Sequence, residues 1–381
     1  MAVKNWKEVV SQYFNQGKLA SVISKLKLNS TPIAFLKSGS IGDFLGVDIG
    51  QDKIKILKID TSVTPYAVKT FAMADVPASA FVKDEIKDPA AIGIILRGML
   101  RDNGISDKNV ALAIPRSLAI IKNIAVDKRL KDKDLESRAW IEANRHFPDL
   151  IGDIYLDFTV TGVAPLDNNK QDLLLVACRK QHIKPYLELM QYCGLTAKIL
   201  DVNCYALERA LNLVMQDEPK LETVALLNIN TSQSSLIVLN KQELIHAHDQ
   251  TFDGQRLLKQ VDEYLQQKQG QPGMENAPLS ISDAAYHQLL QSTLLSHLRH
   301  TVHFFYSSRP NISIQKIFLS GDCSKIPDLP AFVEKEIGIS TRLANPFEHM
   351  QAGGSIDSDD LEKNAPALML CSGLALSQIK E

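Results

Sequence analysis

Apolar positions along the chain fall into short runs of period two, separated by stretches of period 3.6. The first clear run is Leu45-Gly46-Val47-Asp48-Ile49-Gly50, followed by the alternating Lys53-Ile54-Lys55-Ile56-Leu57-Lys58-Ile59. It predicts a buried strand, a tight glycine turn and a second strand. A similar unit recurs as Val224 to Asn230, Ser234 to Leu239 and, after the polar turn Asn240-Lys241-Gln242-Glu243, Leu244 to Ala247. Such a repeat predicts two related lobes. A third unit runs from Lys316 through Ser320 into a turn at Gly321, then into a helix around Phe332 and Val333. Helical spacing of Ile92, Ile95, Leu96, Met99 and Leu100 predicts one further helix, and others are expected over 133–145, 183–193, 254–267 and 284–305. Strands are expected near 110–114, 118–126, 156–161 and 173–177. The polar run 268–273 and the acidic run 355–360 read as solvated linkers.

The first 40 residues stand apart. Trp6, Val9, Val10, Tyr13 and Phe14 follow i, i+3, i+4, i+7, i+8 spacing, and Leu19, Val22, Ile23 and Leu26 repeat the stripe after Gly17. Six lysines (Lys4, Lys7, Lys18, Lys25, Lys27 and Lys37) face Glu8 alone. A basic amphipathic arm of this kind suits an anionic membrane surface, and it equally suits docking on the protein's own lobe or on a second copy.

Composition narrows the class. The 381 residues, 45% of them hydrophobic, suffice for two cores, and a formal charge of −2 gives no case for nucleic acid. Five cysteines without C-x-x-C spacing read as reduced thiols. No apolar run reaches the length of a membrane span, and no signal-peptide hydrophobic region opens the chain, so neither export nor integral membrane insertion is expected.

Chemistry is sparse. A strand–Asp-x-Gly–strand hairpin is either an ordinary hairpin or a phosphate-facing one, in which Gly50 admits backbone N–H groups and Asp48 holds a hydrated Mg²⁺. His297, His300 and His303 recur every three positions but lack further ligands at metal spacing, so a surface or interface stripe is expected and no metal site. His246 and His248 on a strand read as packing or solvent-facing residues. Neither a Ser/His/Asp set nor an acid/base pair stands out, so no catalytic residue is assigned.

The two hairpins and the Gly321 turn together resemble the cleft of the actin, Hsp70 and hexokinase superfamily. Further stretches are more specific: Ala139-Trp140-Ile141-Glu142-Ala143 through Phe147-Pro148, Tyr155-Leu156-Asp157-Phe158, Leu174 to Lys180, Asp201-Val202 with Tyr205 to Ala210, Phe304 to Ser308, and Ala344 to Phe347. In order and spacing they resemble the PilM family, actin-like proteins of type IV pilus assembly that are themselves similar to FtsA. The resemblance implies an α/β, actin-like two-lobed fold with FtsA-like subdomains. These would be 1A over 41–106 and 197–220, 1C over 107–196, 2A over 221–252 and 315–381, and 2B over 253–314, after the extension 1–40. It also implies an ATP·Mg cleft contacted by Asp48, Gly50, Gln51, Lys55, Asn228, Asn230, Gly254, Gly321 and Asp322.

Three loops depart from that pattern. Gln51 and Asp52 stand where small hydroxyl residues are usual, Asn228-Ile229-Asn230 replaces Asp-x-Gly, and Asp322 replaces a second glycine. An amide cannot replace a carboxylate at Mg²⁺, and added acids oppose a triphosphate. ATP with Mg²⁺ is therefore expected to bind weakly or not at all. The expected role is a cytoplasmic scaffold, peripheral to the inner membrane, that binds the tail of a PilN-like bitopic protein. Pilus motor ATPases and self-association are further contacts in this scheme. Trp140, Phe147 and Tyr155 read either as a small core or as the groove for that tail. The alternatives are an active ATPase or small-molecule kinase of the superfamily, and an FtsA-like filament former.

Overall fold

The computed structural model describes residues 44–377 apart from 83–84, 131, 147, 149–151, 165–166, 270–278 and 355. The amphipathic arm with Trp6, Val9, Val10, Tyr13 and Phe14, the residue Phe147 and most of the 268–273 run lie outside the described residues.

The chain opens with an antiparallel meander, β1 (Leu45–Ile49), β2 (Lys53–Asp60) and β3 (Ala67–Asp75). A short ribbon of β4 (Phe81–Val82) and β5 (Glu85–Ile86) leads to helix α1 (Pro89–Asp102). Asp88 caps α1 by accepting from the Ala91 N–H at 2.9 Å, with Pro89 at its first position. Strand β6 (Asn109–Ile114) then pairs parallel to β1, which the intervening crossover through α1 allows. An inserted unit follows: β7 (Ala119–Asp127), helix α2 (Asp132–His146), β8 (Ile154–Val163) and β9 (Lys170–Arg179). These strands form a sheet of order β7-β9-β8, with β8 at an edge. Helix α3 (Lys180–Cys193), ended by left-handed Gly194, strand β10 (Thr196–Val202) and helix α4 (Asn203–Val214) complete this half.

The second half repeats the plan with β11 (Thr223–Ile229), β12 (Gln233–Asn240) and β13 (Glu243–Thr251). The tight β12–β13 turn has positive φ at both Lys241 and Gln242. Helix α5 (Gly254–Gln269) follows. Helices α6 (Ala284–Leu290) and α7 (Ser296–Ser308) are joined by a π-helical turn at Gln291–Leu295, and then come β14 (Lys316–Ser320), α8 (Leu329–Ile337) and β15 (Thr341–Leu343). One sheet runs β10-β6-β1-β2-β3 and the other β15-β14-β11-β12-β13, so the two lobes share one strand order. The duplication expected from the two hairpins extends to their parallel partners.

Several expectations need correction. Strand 109–114 does not open the inserted subdomain. Val110, Ala111 and Leu112 are fully buried between β1 and β10, the place of a central strand. Helix α3 likewise packs on α1 through Leu189 and Tyr192 around Gly93, so the inserted unit narrows to the β7–β9 sheet with α2. The segment after β15 leaves the second lobe. Strand β16 (Gln351–Ala352) extends the first sheet by pairing with β3, and α10 (Met369–Ala375) packs on β1, β2 and α4. Gly373 permits this, because a Cβ there would lie 1.7 Å from the Ala206 carbonyl oxygen. The acids of the 355–360 run mark a helix start, where Asp357 caps α9 (Ser358–Asn364) and Asp359 and Asp360 sit in its positive first turn. Lys268 belongs to α5, not to a loop. Among the described residues, 253–314 have no separate core: α5 to α7 share one apolar cluster with one face of the second sheet.

Candidate functional site

Both hairpin turns point into the cleft between the lobes, and their backbones match. The Gly50 N–H donates to the Lys53 carbonyl at 2.9 Å, and the Asn230 N–H donates to the Gln233 carbonyl at 2.9 Å. The third turn, Gly321, sits at φ +90, and a Cβ there would lie 2.4 Å from the Ile229 carbonyl oxygen. Gly254 starts α5 against the same loop, its absent Cβ position 2.2 Å from the Asn230 carbonyl oxygen. Asp48, Gly50, Gln51, Lys55, Asn228, Asn230 and Asp322 all line one cavity, and Gly254 and Gly321 back its walls.

What these side chains do differs from a metal–nucleotide site. Lys55 lies opposite Asp48 in the β1–β2 register and points into the cleft, where its Nζ is 2.9 Å from Asp322 Oδ1 and 3.8 Å from Asp48 Oδ2. Lys55 is buried and the two carboxylates are partly buried, with 5%, 11% and 16% of the Lys55, Asp322 and Asp48 side chains exposed. Burial works against the Lys55 charge, but Asp322 and then Asp48 outweigh it and hold the ammonium above the usual lysine range. Burial raises the Asp48 carboxyl, Lys55 pulls it back, and Asp322 adds to the rise.

In the second hairpin Asn228 accepts from the Ser320 hydroxyl at 2.9 Å, and Asn230 Oδ1 accepts from the Asp322 N–H at 3.2 Å. Asp52 turns toward the other lobe and accepts from the Thr231 hydroxyl. Thr231 escaped the sequence reading because nothing local marks it; only the folded cleft brings it to Asp52.

The fold implies Mg·ATP here, and the residues present fit it poorly. The cleft's central cation is already held by two carboxylates, and a triphosphate would meet Asp48, Asp52 and Asp322 together. Three backbone donors at the turns, on Gly50, Asn230 and Asp322, are engaged within the protein. The cavity is about 80 Å³, room for a few waters, against roughly 300–1,000 Å³ for small-molecule sites.

Behind the cleft, α4 ties the lobes together. Leu244 N–H donates to Glu208 at 3.0 Å and Asn212 to the Gln242 carbonyl at 3.2 Å, both on the β12–β13 turn. Arg209 pairs with buried Asp201 and donates to the Gly373 carbonyl at 2.9 Å, pinning α10.

In the inserted unit, Leu135 and Ala139 of α2 pack with Val126, Leu173 and Leu175. Trp140 is half-buried and belongs to no apolar cluster of the described residues, and Ile141 beside it is 57% exposed. Tyr155, on edge strand β8, packs against the first-lobe core.

The histidines separate. His297 is half-buried, hydrogen-bonds Ser234 and lies 4.5 Å from the Phe252 ring, so it belongs to packing between α7 and the sheet and not to a surface stripe. His300 and His303 are exposed. His248 stacks on Phe304 at 4.1 Å and His246 meets Phe305 edge-on at 5.2 Å, which is packing.

Residues 46–379 match the family model described as type IV pilus assembly protein PilM. Among solved structures, a PilM–PilN type IV pilus biogenesis complex matches 90% of this chain and 100% of its own, at 21% identity and a TM-score of 0.70. Looser matches are the ethanolamine utilization protein EutJ from Carboxydothermus hydrogenoformans (13% identity, 90% and 92% covered, TM-score 0.47) and MreB5 of Spiroplasma citri bound to ADP (8% identity, 89% and 96% covered, TM-score 0.43). The fold is the actin-like one. No helix among the described residues is long and apolar enough to cross a membrane.

Proposed function

Because this chain belongs to the PilM family of type IV pilus assembly proteins, we propose that it is an actin-like scaffold of the pilus inner-membrane platform that holds the cytoplasmic tail of a PilN-like protein. The observation that carries the reading is the placement of half-buried Trp140 and exposed Ile141 on α2, in the inserted unit whose strand β8 has an unpaired side among the described strands. An extended peptide takes main-chain hydrogen bonds from such an edge and specificity from apolar neighbours. The PilM–PilN pairing in the structurally similar complex supports the choice of partner.

In this reading the protein works as a scaffold and not as an enzyme, Mg·ATP binding is weak or lost, and the place of work is the cytoplasmic face of the inner membrane. Contacts with pilus motor ATPases and with further copies extend the same scheme. The basic arm adds a weak lipid contact, which vesicle co-sedimentation of the full chain and of one starting near Ile41 would detect as a salt-sensitive difference.

The test uses the full chain and a fluorescent peptide from the cytoplasmic start of the bitopic protein encoded beside it. Anisotropy should show saturable binding, unchanged by Mg·ATP and absent for a scrambled peptide. Trp140→Ala should weaken it about tenfold or more, as for an aromatic anchor. Equal binding of the scrambled peptide would remove the reading.

A further inference from the structure

The cleft holds charges that the scaffold role does not use. Lys55 and Asp48 belong to the first lobe, and Asp322 follows β14 in the second, so the 2.9 Å contact from Lys55 to Asp322 crosses between lobes. A second bridge crosses beside it, from the Thr231 hydroxyl to Asp52. Asn230 Oδ1 takes the Asp322 N–H and so fixes the loop that carries the acid.

We propose that Lys55 is a built-in counter-ion: by bridging Asp48 and Asp322 it holds the lobes closed from within, in the place where the fold's Mg·nucleotide would sit. This rests on the reading that the cleft no longer takes nucleotide, and it goes further by assigning what closes it instead.

Three observations converge. The ammonium is buried at the centre of the cleft, where a bound cation would otherwise face the carboxylates. A lysine there offsets one carboxylate in each lobe without a divalent ion, at 2.9 Å from Asp322 and 3.8 Å from Asp48. The cavity of about 80 Å³ between the loops is too small for a triphosphate, and Lys55 and Asp322 both line it, so a nucleotide would have to compete with an intramolecular partner. An ion pair of this kind adds little net stability, because each charge gives up water. Its effect lies in fixing which residues of the two lobes face each other.

The polar bridges of Lys55 and Thr231 lie in front of a continuous seam between the lobes, made by α4, by one apolar cluster that includes Leu207, Leu226 and Ile237, and by the Gly321 N–H donating to the Pro366 carbonyl. The counter-ion therefore governs the mouth of the cleft, where the bridges between the lobes are polar.

The experiment is a distance measurement between spin labels on the two lobes, using Val82→Cys and Lys259→Cys, both at exposed positions, in the full-length protein. Cys193→Ser removes the one half-buried thiol; the other four cysteines are buried, so they resist labelling. The unaltered cleft should give a single narrow distance that Mg·ATP does not shift. Asp322→Gly with Asp52→Ala should lengthen and broaden it. If that pair of changes prevents folding, Thr231→Val with Asp322→Asn asks the same question with isosteric side chains.

A narrow distance in every variant overturns the internal counter-ion and leaves the nucleotide-free scaffold standing. So does a broad distance in the unaltered cleft that ignores Mg·ATP. A distance that Mg·ATP shortens overturns both.

Discussion

The β1–β2 and β11–β12 hairpins have the same backbone and different chemistry. Both close on a 2.9 Å hydrogen bond from the first residue of the turn, both sit beside a parallel partner, and both enter the same cleft. Yet the register pairs Asp48 with Lys55 in one and Asn228 with Ser235 in the other. The first hairpin keeps a full charge of each sign. The second is neutral and is knitted into its own lobe by Ser320 and Asp322. The turn's geometry is thus demanded by the sheet, while the side chains at its tip are free to diverge.

The widest gap between the two should come from removing the charge that only one possesses. Lys55→Met would leave the partly buried Asp48 and Asp322 without their cation, at a cost of about 3 kcal/mol, the lower end for a broken buried pair. Denaturant melts should show it, and Asp322→Asn in the same chain should recover part of the loss. Ser235→Ala, at the matching position of the second hairpin, should change stability by less than about 1 kcal/mol, because the Ser235 hydroxyl is buried with no partner among the described residues. If the two substitutions cost the same, the asymmetry has no energetic meaning.

Gly321→Ala probes the loop that faces both hairpins. With φ at +90 and the Ile229 carbonyl oxygen 2.4 Å from the new Cβ, it should cost about 2–3 kcal/mol. Hydrogen exchange would place the loosening in the second hairpin first. A smaller effect is expected for Asn230→Gly, which restores the glycine of the first hairpin and gives up the bond to the Asp322 N–H, roughly 1 kcal/mol. If this variant gains micromolar Mg·ATP binding by calorimetry, Asn230 alone blocks the cleft and the ion triad does not.

Protonation separates the hairpins most gently. Burial lifts the folded Asp48 pKa above 3.8, so the folded state holds the extra proton in the window above 3.8. Stability therefore rises as pH falls through the raised folded value toward 3.8, and Asp48→Asn should flatten that slope. Elsewhere in the second lobe the sign reverses. Lys268 holds Asp283 down to about 2, so its contribution is present above 3.8 and lost as pH falls through about 2. Denaturation midpoints measured across acid pH for the two Asp→Asn variants would show opposite trends.

Much of this was legible in the sequence, for physical reasons. Alternation in Lys53 to Ile59 and the continuous apolar run Leu236 to Leu239 mark strands directly, the second because β12 is buried on both faces. The partnership of Asp48 and Lys55 was also within reach, since a two-residue turn after Gly50 puts them opposite each other. The contacts of Asp322 and Thr231 were not, because they depend on how two lobes meet. The apolar run Leu368 to Leu376 announced a buried helix but carried no sign of which lobe would bury it. Val110 to Ile114 reads the same as a central strand or as the start of an insertion, and only its parallel neighbours decide. The acids at 355–360 suggested a solvated linker by composition, whereas Asp357 uses its carboxylate as a helix cap.

The return of α10 to the first lobe has a bearing on how the chain acquires its shape. Cys371 Sγ touches the Lys55 carbonyl 316 positions away, and Arg209 reaches the Gly373 carbonyl, so β1 and β2 are covered by a helix that follows the second lobe in the chain. The strands of the second lobe's sheet all lie between the two ends of that contact. Covering the opening meander therefore closes a loop that contains an entire lobe, a contact of high sequence separation that a folding chain reaches late.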